Sequence, residues 1–172
     1  MKKSGRNIKE LMLRLSILGN RLSRIKHYRG HGVHSPYVYN LVRKVFMCKT
    51  LPQDRENLLY KTLIDCNAPV RRAVELQNLL YHCEAESFSI DFAHTIGQLH
   101  IVTTPLTLPQ YEKLFADAAT VGTTVVVLNP YLNKEHRTTC AELIMRHHST
   151  SVDNRGYIIF FNNHLPKQHY KL

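Results

Sequence analysis

The sequence predicts an α/β fold, helical in its first half and closing on an antiparallel hairpin. Three observations carry this reading. Up to Leu80 the apolar residues recur at spacings of three and four, the period of a helix face. From Phe88 onward, short β-branched or aromatic runs alternate with helical stretches, the order that builds a mainly parallel sheet covered by helices. Asn154-Arg155-Gly156 separates Ser151-Val152-Asp153 from Tyr157 to Phe161, so these read as strand, turn and antiparallel strand.

A chain of 172 residues buries one continuous core, so a single structural domain is expected. Within it, residues 1–84 read as a basic helical region packed on the core and residues 85–172 as the α/β core itself. The first helix is expected from about Asn7 to Lys26, with Ile8, Leu11, Leu15, Leu18, Leu22 and Ile25 on one seam. That seam is too short for a dependable isolated coiled coil, so it packs on the domain or joins a second copy as a homo-oligomer. Gly30-His31-Gly32-Val33-His34-Ser35-Pro36 follows: two glycines permit a sharp reversal, and Ser35 before Pro36 signals a helix start.

Val38, Leu41, Val42, Val45 and Phe46 form the apolar face of the next helix, which Leu51-Pro52 ends. A third helix carries Leu58, Leu59, Leu63 and Ile64; a fourth starts at Asn67-Ala68-Pro69 and carries Val70, Ala73, Val74, Leu76, Gln77 and Leu80. Strands are predicted at 88–91 and 99–102. Thr107-Leu108-Pro109-Gln110 is a capping box opening a helix that Gly122 closes. Thr123 to Leu128 reads as a strand buried on both faces, and a helix follows from about Asn133 to His148. Ser151-Val152-Asp153 and Tyr157 to Phe161 are the hairpin strands.

Charge is unevenly spread. Residues 1–49 hold twelve Lys or Arg and one acid, Glu10, while the remaining 123 residues hold eleven basic and twelve acidic side chains. The net charge of +10 thus resides in the first quarter, which points to a polyanion partner, RNA above all, with DNA and acidic lipid as alternatives. Arg21, Arg24, Lys26, Arg29, His31, Ser35 and Arg43 are the candidate anion-binding residues: cations around a helix start whose N–H groups face outward. No apolar run is long enough to span a bilayer, and Arg14 interrupts the one stretch that imitates an export signal. The four cysteines form no Cys-x-x-Cys pair, so reduced, mostly buried thiols in a cytoplasmic protein are expected.

Arg29 to Tyr39, with its Gly-His-Gly-Val-His-Ser-Pro core, resembles the opening of a bacterial group related to class I S-adenosylmethionine-dependent methyltransferases. The closing Leu165-Pro166-Lys167-Gln168-His169-Tyr170 resembles that group's C-terminal Pro-Lys-Gln-His-aromatic ending. Between them, the layout from Gln98 to Phe161 is similar to the second half of a methyltransferase sheet. The resemblance implies a reduced Rossmann-like, methyltransferase-type sheet with Tyr157 to Phe161 inserted antiparallel after Gly156. It departs where the cofactor binds: no Gly-x-Gly follows any predicted strand, and the chain is shorter than such enzymes by about one βαβ unit.

What remains for S-adenosylmethionine is Asp91, a strand-ending acid in the place of a ribose-binding carboxylate, and Asn129 of Asn129-Pro130-Tyr131. The latter resembles, with one proline missing, the Asn-Pro-Pro-Tyr signature of amino-group methyltransferases. Strand-end turns use the same residue types without any ligand. His31 and His34, with His169, are weak metal candidates because no carboxylate or thiolate lies beside them, and His147-His148 reads as a charge-bearing helix C-cap. There is no Gly-x-Ser-x-Gly elbow and no P-loop. The expected function is therefore a methyltransferase-like protein that has lost cofactor binding and acts as a binding or assembly protein. An active methyltransferase with an atypical cofactor site and a homo-oligomeric structural protein are the alternatives.

Overall fold

The computed structural model describes residues 35–91 and 95–172. In them, α1 (Pro36–Leu41) runs directly into a π-helical stretch over Val42–Phe46. Then come α2 (Leu58–Asp65), α3 (Val70–His82), β1 (Phe88–Ile90), β2 (Leu99–Val102), α4 (Leu108–Val121), β3 (Thr124–Leu128), α5 (Lys134–Arg146), β4 (Ser151–Asp153), β5 (Tyr157–Phe160) and β6 (His169–Lys171). The first helix, the Gly30-to-His34 turn and the seam from Ile8 to Ile25 lie outside the described residues.

The strands form one mixed sheet in the order β1-β2-β3-β5-β4-β6. β1, β2 and β3 are parallel neighbours; β5 is antiparallel to both β3 and β4. The hairpin is present, but its return strand lies inside the sheet, between β3 and β4. β6 adds a parallel strand beyond β4, where Ser151 N–H donates to the Gln168 carbonyl at 2.8 Å. No apolar alternation announces β6; the Pro166–Lys167 approach is held instead by Thr150 Oγ1 donating to the Pro166 carbonyl at 2.7 Å.

Two layers of helix cover the sheet because every central strand alternates its side chains between them. Val126 and Leu128 of β3, with Ile159 of β5, join the core under α1, α2 and α3. Val125 and Val127, with Ile158 and Phe160, join the core under α4 and α5. All five residues of β3 are buried, as expected for a strand covered on both faces. Residues 35–84 thus share their core with the strands.

Local signals explain most boundaries. Ser35 Oγ accepts the Val38 N–H at 3.3 Å and caps α1. Thr107 and Gln110 complete the capping box of α4, and Gly122 ends it at φ +72°. α2 starts differently: Asn57 sits at φ +50° with no cap bond of its own, and the Tyr60 N–H is taken by Gln77 Oε1 of α3 at 2.9 Å. Gly97 packs flat on β1, where a Cβ would stand 2.7 Å from the Phe88 carbonyl carbon.

Two expectations are corrected. Only Cys140 of the four free cysteines is buried; Cys48 and Cys83 are half-buried and Cys66 is exposed, because three of them fall at helix ends or in loops. His147 does form the C-cap of α5, but not as a charged one. It is buried against Phe115 and Phe160, and burial pushes its pKa down to about 4 despite its contact with the Phe161 carbonyl at 2.9 Å.

Burial also lowers His82, His100 and His136. Folded pKa values below the unfolded value mean that the unfolded chain takes up protons first as pH falls, so stability is complete above about pH 6.5 and is lost below it. For His147 the loss at pH 5 is on the order of 2 kcal/mol. Urea unfolding should therefore show a clearly lower midpoint at pH 5 than at pH 7, and His147→Gln should flatten that dependence. Gly97→Ala should lower stability by about 2 kcal/mol, because the obstacle is backbone rather than a movable side chain.

Candidate functional site: a cationic cleft at the carboxyl edge of the sheet

The carboxyl ends of β3, β4 and β6 lie on one side of the sheet, since these strands run parallel to one another. The N-terminal turn of α3 comes up beside them and closes one wall of a cleft of about 1030 Å³. Lys49, Arg71, Arg72 and Arg155 line it, with Glu75, Asn154 and Gly156. Pro69 gives α3 no side-chain cap, so the first N–H groups of the helix have no capping partner.

Each cation is placed by a specific neighbour. Arg72 Nη1 donates to Asn129 Oδ1 at 2.8 Å, bridging α3 to the end of β3. Its guanidinium lies on Gly156, where a Cβ would come within 2.8 Å of Nη2. Arg155 occupies the hairpin turn at φ +54°, its N–H donating to Asp153 Oδ1 at 2.9 Å, and its side chain is exposed. Arg71 Nε donates to Glu75 Oε1 at 2.9 Å. No carboxylate among the described residues pairs with Lys49, Arg72 or Arg155.

Glu75 lies at the floor. It is buried, and its second oxygen accepts from Tyr157 Oη at 3.1 Å and from Asn154 Nδ2 at 3.4 Å. Burial, with the Glu75 charge beside it, raises the Tyr157 phenol well above its usual range, so it stays a donor. Asp153 is also buried and accepts from Tyr131 Oη on the opposite face of the sheet.

The sequence-chosen cofactor residues are both engaged within the fold. Asp91 sits at φ +49° just past β1; its carboxylate accepts from the Thr103 N–H at 2.7 Å, from the Thr103 hydroxyl and from the Thr104 N–H at 3.3 Å. It ties the exit of β1 to the exit of β2. Asn129, at φ +50°, holds Arg72, and its N–H donates to the Gly156 carbonyl at 2.9 Å. Neither lines the cationic cleft.

Of the anion-binding candidates, Ser35 caps α1 and Arg43 lines a second, shallower cleft of about 570 Å³ with Lys44, Arg55, Tyr81 and His82. Cys48 belongs to both clefts. Arg21, Arg24, Lys26, Arg29 and His31 lie outside the described residues. Sequence reasoning missed Arg71, Arg72 and Arg155 because they come from two separate stretches of the 123 residues that are nearly neutral in sum, and Lys49 because it stands apart in sequence from the cations around Ser35. The adjacent Arg71-Arg72 at a helix start was the one local signal.

Three side-chain pairs resemble catalytic ones and are placed as structural; one, Ser151 Oγ with His169 Nδ1 at 2.9 Å, ties β4 to β6. Ser89 Oγ and His100 Nδ1 are 2.7 Å apart, but both are buried, the Gly97 N–H already donates to Ser89 Oγ at 2.9 Å, and neither cleft reaches them. Cys140 faces His136 in the α5 core, where burial raises the thiol pKa to about 12, far from a thiolate. Among the described residues no group of three His, Cys, Asp or Glu side chains is placed to hold a metal ion, and no helix is long and apolar enough to cross a membrane.

Compared with known families, curated proteins and solved structures, the chain finds no match.

Tyr157→Phe would leave the buried Glu75 carboxylate short of one donor. It should cost about 2 kcal/mol in denaturant titration, the range for a hydrogen bond to a charged group. Arg71→Ala should cost less, since the arginine is 84% exposed at its side chain.

Proposed function

We propose that this chain is a methyltransferase-like α/β protein that no longer uses S-adenosylmethionine and instead binds a polyanion, RNA, through its cationic surface. One juxtaposition carries the reading. At the carboxyl edge, where open α/β sheets hold ligands, Asp91 and Asn129 are spent on bonds within the fold, while Lys49, Arg72 and Arg155 stand without carboxylate partners in an open cleft. The cations that a phosphate needs are not neutralised by a carboxylate there, while the acid that a ribose needs is already bonded.

The sheet order supports the kinship that the terminal motifs imply. The strand Tyr157–Phe160 is inserted antiparallel between β3 and β4, and β1 has no neighbour on its outer side among the described residues, the side on which a missing βαβ unit would have continued the sheet. The charge of residues 1–49 supports the partner: Arg43, Lys44 and Lys49 from that quarter line the same surface as Arg72 and Arg155.

Two measurements on the full chain test this reading. Calorimetric titration with S-adenosylmethionine should give no binding heat; micromolar affinity would restore the enzyme reading. Binding of labelled RNA should weaken steeply as salt rises, and an Arg21→Ala, Arg24→Ala double variant should bind less tightly. Affinity indifferent to salt would rule out a phosphate-led contact.

A further inference from the structure

Resting on that polyanion reading, we propose that the two clefts form one track for single-stranded RNA, with phosphodiester positions on either side of Cys48 and a base-stacking platform at Arg55. Three observations lead there. The clefts adjoin, since Cys48 lines both. Their cations flank that residue: Lys49, Arg72 and Arg155 on one side, Arg43, Lys44 and Arg55 on the other. The acidic side chains lining them are Glu75, already bound to Arg71 and Tyr157, and Glu84.

The shape selects the strand. Duplex RNA carries its phosphates on the outside of a stiff rod, and its major groove is too deep and narrow for side chains to read. A rod of that kind cannot lower successive phosphates into concave clefts of about 1030 and 570 Å³. An unpaired strand bends into them, and its bases are free to stack. A flat lipid surface meets the same obstacle as a duplex.

The platform is already built. The Arg55 guanidinium lies over the Tyr81 ring at 4.6 Å from its centroid, and Tyr81 is itself held by its hydroxyl donating to Asn57 Oδ1 at 2.9 Å. Arg55 is exposed, so its outer plane can take a base, as guanidinium planes do in single-strand recognition. At the other end, Asn129 and Gly156 hold Arg72 in place before any ligand arrives, which lowers the ordering cost of binding.

The test uses the full chain and fluorescence anisotropy with an oligouridylate of about 12 nucleotides, the same strand annealed to oligoadenylate, and phosphatidylserine vesicles. The single strand should bind at least about tenfold more tightly than the duplex. Arg72→Gln with Arg155→Gln should weaken single-strand binding about tenfold and reduce the salt slope by about 1.4, the loss of two phosphate contacts; separately, Arg43→Gln with Arg55→Gln should weaken it about tenfold and reduce the slope by about 0.7, the loss of one phosphate contact and of the stacking platform. Arg155→Gln and Arg55→Gln alone, both at exposed positions, provide the same readout if a double variant folds poorly. Duplex or vesicle binding as tight as single-strand binding would overturn the track and leave the polyanion reading standing. So would single-strand affinity that ignores all four cleft substitutions yet falls in the Arg21→Ala, Arg24→Ala variant. Binding to none of the three probes would overturn both.

Discussion

The Glu75 carboxylate is buried beneath α3 and accepts the hydroxyl of Tyr157, a residue 82 positions later in the chain. A buried carboxylate is tolerated only where donors replace the water it has lost, and here Arg71, Tyr157 and Asn154 supply them from the helix, from β5 and from the hairpin turn. The arrangement therefore fixes α3 against the inserted strand. α3 in turn organises the first half of the molecule: its buried Gln77 serves the uncapped N–H of Tyr60, and its buried Asn78 donates to the Thr50 carbonyl at 3.3 Å. Three polar side chains on one helix thus set the positions of α2, the 50–57 loop and the hairpin. Apolar packing alone would hold these elements close without fixing their register.

Those same three residues mark how far the sequence could be read. α3 was legible as a helix through Val70, Ala73, Val74, Leu76 and Leu80, because helical periodicity survives any tertiary context. That Glu75 and Asn78 would be buried too was not, since a residue reads as outward-facing until the partner that satisfies it is known. The five strands from Phe88 to Phe160 were legible by other signals: short β-branched or aromatic runs for β1, β2, β3 and β5, and for β4 the turn residues Asn154-Arg155-Gly156 that follow it. β6 was not: His169-Tyr170-Lys171 has no apolar alternation, and it becomes a strand because β4 presents an open edge to it. The charged C-cap expected at His147 failed on packing. A ring held against Phe115 and Phe160 is neutral whatever the helix dipole prefers.

The site was legible in its sign and not in its place. Net charge is a sum along the chain, so the balanced count after residue 49 concealed that folding separates the two signs. Acids such as Glu112 and Glu142 are consumed by Arg146 on the α4–α5 face, while Arg71, Arg72 and Arg155 collect at the opposite layer's edge. Asp91 drew attention because a strand-end carboxylate is the right group for a ribose. The chemistry that makes it so, two oxygens seeking donors, is equally well met by Thr103 and Thr104. Sequence position cannot choose between an external hydroxyl and an internal one.

The element that stabilises the fold also shapes the cleft. Arg72 lies on α3, three residues before Glu75, and Arg155 lies in the turn between Asn154 and Tyr157, both of which Glu75 holds. The elements that carry the two arginines are therefore tied together by a hydrogen-bonded carboxylate under the floor, while Asn129 holds the Arg72 guanidinium itself. Mutual repulsion between the cations would otherwise open the cleft, since like charges at its rim cost energy in proportion to their proximity. Glu75 opposes that from below, with its charge already committed to Arg71 and to the Tyr157 hydroxyl. The acid is thus better understood as the counterweight that lets positive groups stand together than as a ligand-binding group in its own right. The backbone that carries these cations is thus fixed by hydrogen bonds within the fold itself.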